Sequence, residues 1–296
     1  MITRDSRILV TGVKGQLGYD CVRELKERGY TNVLGIDKEE LDITNETAVK
    51  KFISDYKPDA IMHNAAWTAV DKAEQMPDAV YAVNALGPKY IAEVCKAIGA
   101  TMFYISTDYV FDGKGEKPFE VDDPKNGLSV YGRTKSEGEE FVKRALNDYF
   151  IIRISWVFGV NGRNFVKTML SLADKGLKEL NVVSDQIGSP TYTYDLSKLM
   201  CDMMVTDKFG VYHATNEGYC SWADFAEYIF KVANIKMKVN HVTTEEYKKL
   251  APNQADRPFN SRLSKASLDE AWHKRLPTWQ NAVDRFIHDE LNKSRR

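Results

Sequence analysis

Arg7-Ile8-Leu9-Val10-Thr11 runs directly into Gly12-Val13-Lys14-Gly15-Gln16-Leu17-Gly18, and a helical pattern begins near Gln16. A short apolar and β-branched run, a glycine turn and a helix form the context in which a glycine motif carries meaning. Gly12 permits the tight turn, Gly15 lets the backbone approach a pyrophosphate, and Gly18 lets the helix pack on the strand. Gln16 and Leu17 open that helix, whose N-terminal N–H groups and dipole would face phosphates. The spacing is G-x-x-G-x-x-G, so its weight depends on what surrounds it.

A second strand, 32–36, ends at Asp37, about twenty residues past the turn, where a carboxylate would accept hydrogen bonds from an adenosine ribose. Lys38 follows at once and suits a 2′-phosphate, so NADPH or NADH is the expected cofactor. Asp42 and Ile43 would flank the adenine ahead of a helix over 46–56. The next strand, 59–63, closes on Asn64-Ala65-Ala66, and the small Ala65 and Ala66 leave room for a dinucleotide. A helix follows over 77–97, in which Asn84 reads as a packing or backbone-bonded residue. Strand 102–106 leads to Thr107, a loop spans 112–126, a helix runs from Tyr131 to 146, and strand 150–155 leads to Trp156. Strand alternating with helix specifies a parallel sheet with right-handed crossovers. The expected class is α/β, a Rossmann-type doubly wound parallel sheet with a smaller mixed α/β substrate lobe.

Beyond residue 159 the alternation loosens. Helices are expected over 164–175, 194–205 and 221–233, with a short strand at 180–184, and the segments 239–242, 245–250, 267–272 and 278–292 complete a smaller mixed lobe. Ser221 and Asp224 make a capping-box pattern, and 210–215 reads as a strand returning to the main sheet. Residues 1–155, rejoined by 190–220, are therefore expected to form the dinucleotide-binding domain, and 156–189 with 221–296 the second lobe.

Tyr131-Gly132-Arg133-Thr134-Lys135 places a phenol and an ammonium on one helix face, four residues apart. A cation there is expected to favour the phenolate and lower the tyrosine pKa, fitting Tyr131 to exchange a proton with a carbonyl or alcohol. Thr107, at the end of its strand, could hydrogen-bond the same oxygen. Arg257, before Pro258 in a loop, is a candidate for gripping an anionic group.

The formal net charge of −1 gives no electrostatic argument for nucleic acid or an anionic membrane. The four cysteines are scattered without a C-x-x-C pair, and the five histidines are as dispersed, so no metal site is expected. No signal sequence or membrane span is apparent, and a cytoplasmic location is expected.

Taken together, these motifs make the sequence similar to the extended short-chain dehydrogenase/reductases, and more narrowly to the dTDP-4-dehydrorhamnose reductases. The matching stretches are 15–18, 41–44, 68–74, 106–113, 131–135, 153–156, 185–191 and 257–258; those at 68–74, 153–156 and 185–191 are the specific ones. Trp67 departs from the tyrosine usual there. The resemblance implies hydride transfer from a nicotinamide to the 4-keto group of dTDP-4-dehydro-L-rhamnose, for surface polysaccharide. It makes Tyr131 the proton donor, gives Lys135 the nicotinamide ribose, and sets Thr107 on the keto oxygen. Thr68, Val70, Tyr109 and Trp156 would line the sugar-nucleotide site, with Arg257 on the diphosphate. Sugar 4,6-dehydratases carry a glutamate where Tyr109 stands, and GDP-fucose synthases a cysteine at the position of Asp108, so simple reduction is what remains. Some members form dimers with a bridging metal; a homodimer is the matching expectation, and no ligand spacing supports the metal. A second reading, from another class, is a non-catalytic subunit resembling the regulatory β subunit of methionine adenosyltransferase, which keeps the tyrosine–lysine pair.

Overall fold

Six parallel strands carry the molecule: β1 (Ile8–Thr11), β2 (Val33–Ile36), β3 (Ala60–His63), β4 (Thr101–Thr107), β5 (Tyr149–Ile154) and β6 (Gly210–His213). Their spatial order, β6-β5-β4-β3-β1-β2, was read from a computed structural model that describes residues 2–250 and 254–291. Every pairing in this sheet is parallel. The order reverses at β1, which pairs with β2 on one side and β3 on the other. A crevice opens at such a reversal, beyond the strands' C-terminal ends. The returning strand expected near residue 210 is β6, in register with β5 from Gly210 opposite Phe150.

The sheet is apolar on both faces because helices cover both. Ile8, Val10, Phe103, Phe150 and Ile152 pack into one cluster with the helices Gln16–Glu27 and Thr193–Met204. Leu9, Ile61, Met102, Tyr104 and Ile151 pack into the other with Glu46–Tyr56, Gly87–Ile98 and Val130–Ala145. The alternation along β1 and β5 follows from the two-residue period of a strand. A third cluster joins Phe158, Val166, Phe225, Ile229 and Phe286, together with a parallel pair made by Glu179–Val183 and Lys238–Val242. Ser221 and Asp224 form the full capping box on Trp222–Val232.

One helix differs from its expected form, and the last segment carries a second π-turn. The run over 77–97 consists of Pro77–Tyr81, a π-turn at Ala82–Leu86 and Gly87–Ile98. Pro88 has no N–H for the carbonyl four residues back and its ring crowds that carbonyl, which belongs to Asn84. The Asn84 carbonyl instead accepts from the Tyr104 hydroxyl at 3.0 Å. The Asn84 side chain accepts from the Trp67 amide at 2.8 Å and donates to the Trp67 carbonyl at 3.1 Å, the backbone-bonded part expected of it. The last helix is Trp279–Arg285 followed by a π-turn, Phe286–Leu291; Asn292, expected at its end, lies outside the described residues.

Candidate active site

The ends of β1 to β5 open onto a cleft of about 930 Å³. Into it the fold brings residues far apart in the chain: Gly12, Gly15, Gln16, Leu17 and Gly18 from the first turn, and Asp37, Lys38, Asp42 and Ile43 from after β2. Ala65, Ala66, Thr68 and Val70 enter from after β3, Thr107 and Tyr109 from the end of β4, and Tyr131 and Lys135 from the following helix. Trp156 and Arg257 close it from the second half of the chain. Each residue expected to touch cofactor or substrate thus lines one cavity.

The glycine turn is shaped by close packing. Gly12 has φ +71°, and a Cβ there would stand 2.8 Å from the Ala65 nitrogen. A Cβ on Gly18 would reach 2.2 Å from the Gly12 carbonyl oxygen, so helix and strand could not meet. At Gly15 a Cβ would meet only that same oxygen, at 3.1 Å, and Gly15 caps the helix Gln16–Glu27 with no side-chain hydrogen bond. Its first N–H groups are left to a ligand, the fit a pyrophosphate requires. Asp37 accepts from the backbone N–H groups of Lys14 (3.0 Å) and Lys38 (2.8 Å), which fixes its carboxylate at the cleft wall. These residues suit a dinucleotide.

The acid–base end is dry. Lys135 is 2% exposed and Thr107 4%. Thr107 donates to Asp108 Oδ1 at 2.9 Å and accepts from the Tyr109 amide at 3.2 Å. The Tyr109 ring meets Tyr131 edge-on, centroids 5.5 Å apart. Burial raises the Tyr131 pKa well above the ordinary phenol value, opposed by its hydrogen-bond contact with Thr107. Burial pulls Lys135 down to about 7, opposed by the field of Glu139. The expected lowering of Tyr131 by Lys135 is therefore absent from the free protein. Taking the two groups out of water penalises the charged form of each, which raises the phenol and lowers the ammonium. A phenol that keeps its proton at neutral pH is a donor, as a carbonyl reduction needs.

Trp156 has φ +51° and stacks on Trp222, centroids 3.8 Å apart and planes 15° from parallel. It joins the third apolar cluster as well as lining the cleft. Arg257 donates to the Tyr109 hydroxyl at 3.2 Å and to both Asp71 oxygens at 3.1 and 3.2 Å. It also borders a second cavity, of about 280 Å³, with Phe165, Met169, Val182 and Trp222.

Several cleft residues are given no role by the sequence. Asp108 is 3% exposed, lines the cleft and leaves Oδ2 without a hydrogen bond; burial pushes it up to about 6. Its place beside Thr107 could have drawn notice. Thr11, bonded to His63 Nδ1 at 2.8 Å and to the Ala65 amide at 3.1 Å, and Arg163, reaching the cleft from across it, carry no local signal.

The family model described as "RmlD substrate binding domain" matches residues 6–292. A spore coat polysaccharide biosynthesis protein of Bacillus subtilis is 41% identical over 96% of this chain and 98% of its own. The dTDP-4-dehydrorhamnose reductase of Aggregatibacter actinomycetemcomitans is 40% identical over 94% of this chain and 97% of its own. The crystal structure of dTDP-4-dehydrorhamnose reductase from Bacillus anthracis in complex with NADP superposes with a TM-score of 0.91 at 40% identity, covering 96% of this chain and 99% of that one. No helix among the described residues is long and apolar enough to cross a membrane. Matched over nearly its whole length by this family model and by relatives about 40% identical, the chain belongs to the RmlD family of dTDP-4-dehydrorhamnose reductases.

Proposed function

We propose that this protein reduces the 4-keto group of dTDP-4-dehydro-L-rhamnose to give dTDP-L-rhamnose, using NADPH or NADH. The observation that carries the reading is that Thr107, Tyr131 and Lys135 line the same cleft as the glycine turn. The 40%-identical reductase of Aggregatibacter and the NADP complex of the Bacillus anthracis enzyme support it. They favour an enzyme over a regulatory subunit of the methionine adenosyltransferase kind.

Bound nicotinamide supplies a hydride to carbon 4. As the C=O π pair moves onto oxygen, Tyr131 gives that oxygen its proton and is left as phenolate. The Lys135 ammonium stabilises the phenolate until solvent returns the proton. Thr107 turns its hydroxyl from Asp108 toward the developing oxyanion, stabilisation that counts for most where water is excluded. Thr68, Val70, Tyr109 and Trp156 supply the wall for the sugar, and Arg257 the cation for the diphosphate. The 12–18 turn holds the pyrophosphate, Asp37 and Lys38 the adenosine ribose, Asp42 and Ile43 the adenine, and Ala65 and Ala66 the passage between. In this reading residues 1–155 with 190–220 bind the dinucleotide, and 156–189 with 221–296 the sugar nucleotide. The same reading makes it a cytoplasmic enzyme working as a homodimer, which sedimentation of the purified chain would test.

The purified protein alone should oxidise NADPH when given dTDP-4-dehydro-L-rhamnose. No turnover with it or its close relatives, alongside tight binding of dinucleotide and of a partner protein, would overturn the enzyme reading.

A further inference from the structure

Lys135 sits on an aromatic ring. Its Nζ lies 4.0 Å from the centroid of Tyr104, a residue of β4 with no exposed surface. Among the described residues no carboxylate lies within ion-pair distance of this ammonium. Glu139, one turn further along the helix, is instead bound to Arg153 through two hydrogen bonds of 2.8 Å and to Lys125 at 3.0 Å.

The ring is fixed from behind. The Tyr104 hydroxyl is shared between the Asn84 carbonyl at 3.0 Å and the Lys135 carbonyl at 3.1 Å. The first of these acceptors is available because Pro88 has no N–H to offer it. A Cβ on Gly138 would fall 2.3 Å from the same hydroxyl, so the ring edge packs directly against the helix that carries Lys135. His63 of β3 stacks near the ring, centroids 6.1 Å apart, and burial keeps it neutral by pulling it down to about 3.

We propose that Tyr104 is a positioning residue for the reduction, its ring face serving as the seat that holds the Lys135 ammonium in place and in its charged form. This deepens the reductase reading and rests on it. A cation is drawn to the negative face of an aromatic ring, and the attraction grows when water is excluded. The ring has no lone pair that binds the ammonium as a carboxylate would, so N–H donors remain for the cleft, where Tyr131 and a ribose would use them. A carboxylate in that position would consume those donors. The charged and titratable groups around Lys135 are Tyr131 and Glu139 on its own helix, Tyr104 and Asp108 of the β4 end, and His63 of β3. Arg153 of β5 and Lys125 act through Glu139.

The sign of the effect follows. A ring face that favours the ammonium holds the lysine pKa above where burial alone would put it, so draining the face must lower it. The test replaces Tyr104 with phenylalanine and then, at the same position, with fluorinated phenylalanines up to the pentafluoro ring. These keep the size of the side chain while draining its face. Two quantities are read in each protein: the titration of Lys135 by NMR of its Nζ, assigned with Lys135→Met, and the pH profile of kcat/KM. Tyr104→Phe keeps the ring face while losing the hydroxyl's two hydrogen bonds, and it is the reference against which the fluorinated rings are read. The pentafluoro ring should move the Lys135 titration acidward by about one and a half pH units, the size of a desolvated cation–π contact, and carry the alkaline limb of kcat/KM with it. Fluorination that leaves both unmoved overturns the proposal, as does a Tyr104→Phe protein that shifts as far as the fluorinated one. If the wild type shows no turnover, the reductase reading falls while the lysine titration still decides the role of the ring.

Discussion

Trp156→Ala separates cleft wall from lobe packing. Trp156 is half-buried, stacked on Trp222 at 3.8 Å, with Phe225 6.5 Å away, and the missing Cβ of Gly188 makes room for its ring at 2.9 Å. A fully buried tryptophan truncated to alanine costs about 3–5 kcal/mol. Half-burial puts this site at the lower end, about 3 kcal/mol, of which roughly 1 kcal/mol belongs to the ring pair. For a chain of this size that lowers Tm by about 5 °C. The same ring lines the cleft, so the KM for the nucleotide sugar should rise at temperatures where the variant is still folded. Calorimetry and initial rates on Trp156→Ala, Trp222→Ala and the double variant give the test. The two single changes should couple by about 1 kcal/mol in stability. Because φ is +51°, Trp156→Gly should be the less damaged truncation. Lost stability with an unchanged KM would make Trp156 packing alone; a raised KM with unchanged stability would make it wall alone. Either result refutes the double role.

Tyr131→Phe should abolish reduction while leaving dinucleotide affinity nearly unchanged, because the proton is given only in the transition state; near wild-type kcat would refute the assignment. Both NADH and NADPH should serve, with a preference under about 1.4–2.8 kcal/mol, roughly ten- to a hundredfold in kcat/KM. A much larger preference would mean that only one of Asp37 and Lys38 meets the ribose. Asp20, buried against Thr193 with Oδ1 unpartnered, is pushed up to about 6 by burial, from an ordinary 3.8. The folded chain therefore holds this proton after the unfolded chain has released it, and stability drains away as pH rises between those values. Asp20→Asn should match wild type below about pH 4 and be more stable above about pH 6, by at most about 3 kcal/mol in urea titrations; a variant less stable at every pH would sink the argument.

The strand–turn–helix at 7–18, the helix face of Tyr131 and Lys135 and the capping box at Ser221 were legible in the sequence because each is a local pattern. A glycine turn, an i, i+4 pair and a cap are fixed by residues within a few positions of one another. The six strands could be found in the same way, by their apolar runs. Their order could not, because pairing is chosen by which helices bury which faces, and those contacts join residues far apart in the chain, as Gly210 meets Phe150 and Cys21 meets Met200. The π-turn at Ala82–Leu86 hinges on Pro88 and on a hydroxyl offered by Tyr104 from another strand. The pKa values were misjudged for a related reason. The four-residue spacing showed that Tyr131 and Lys135 are neighbours, but only the tertiary structure removes water from around them. Desolvation depends on everything packed against a group, and so it reverses the sign that the local pattern implied.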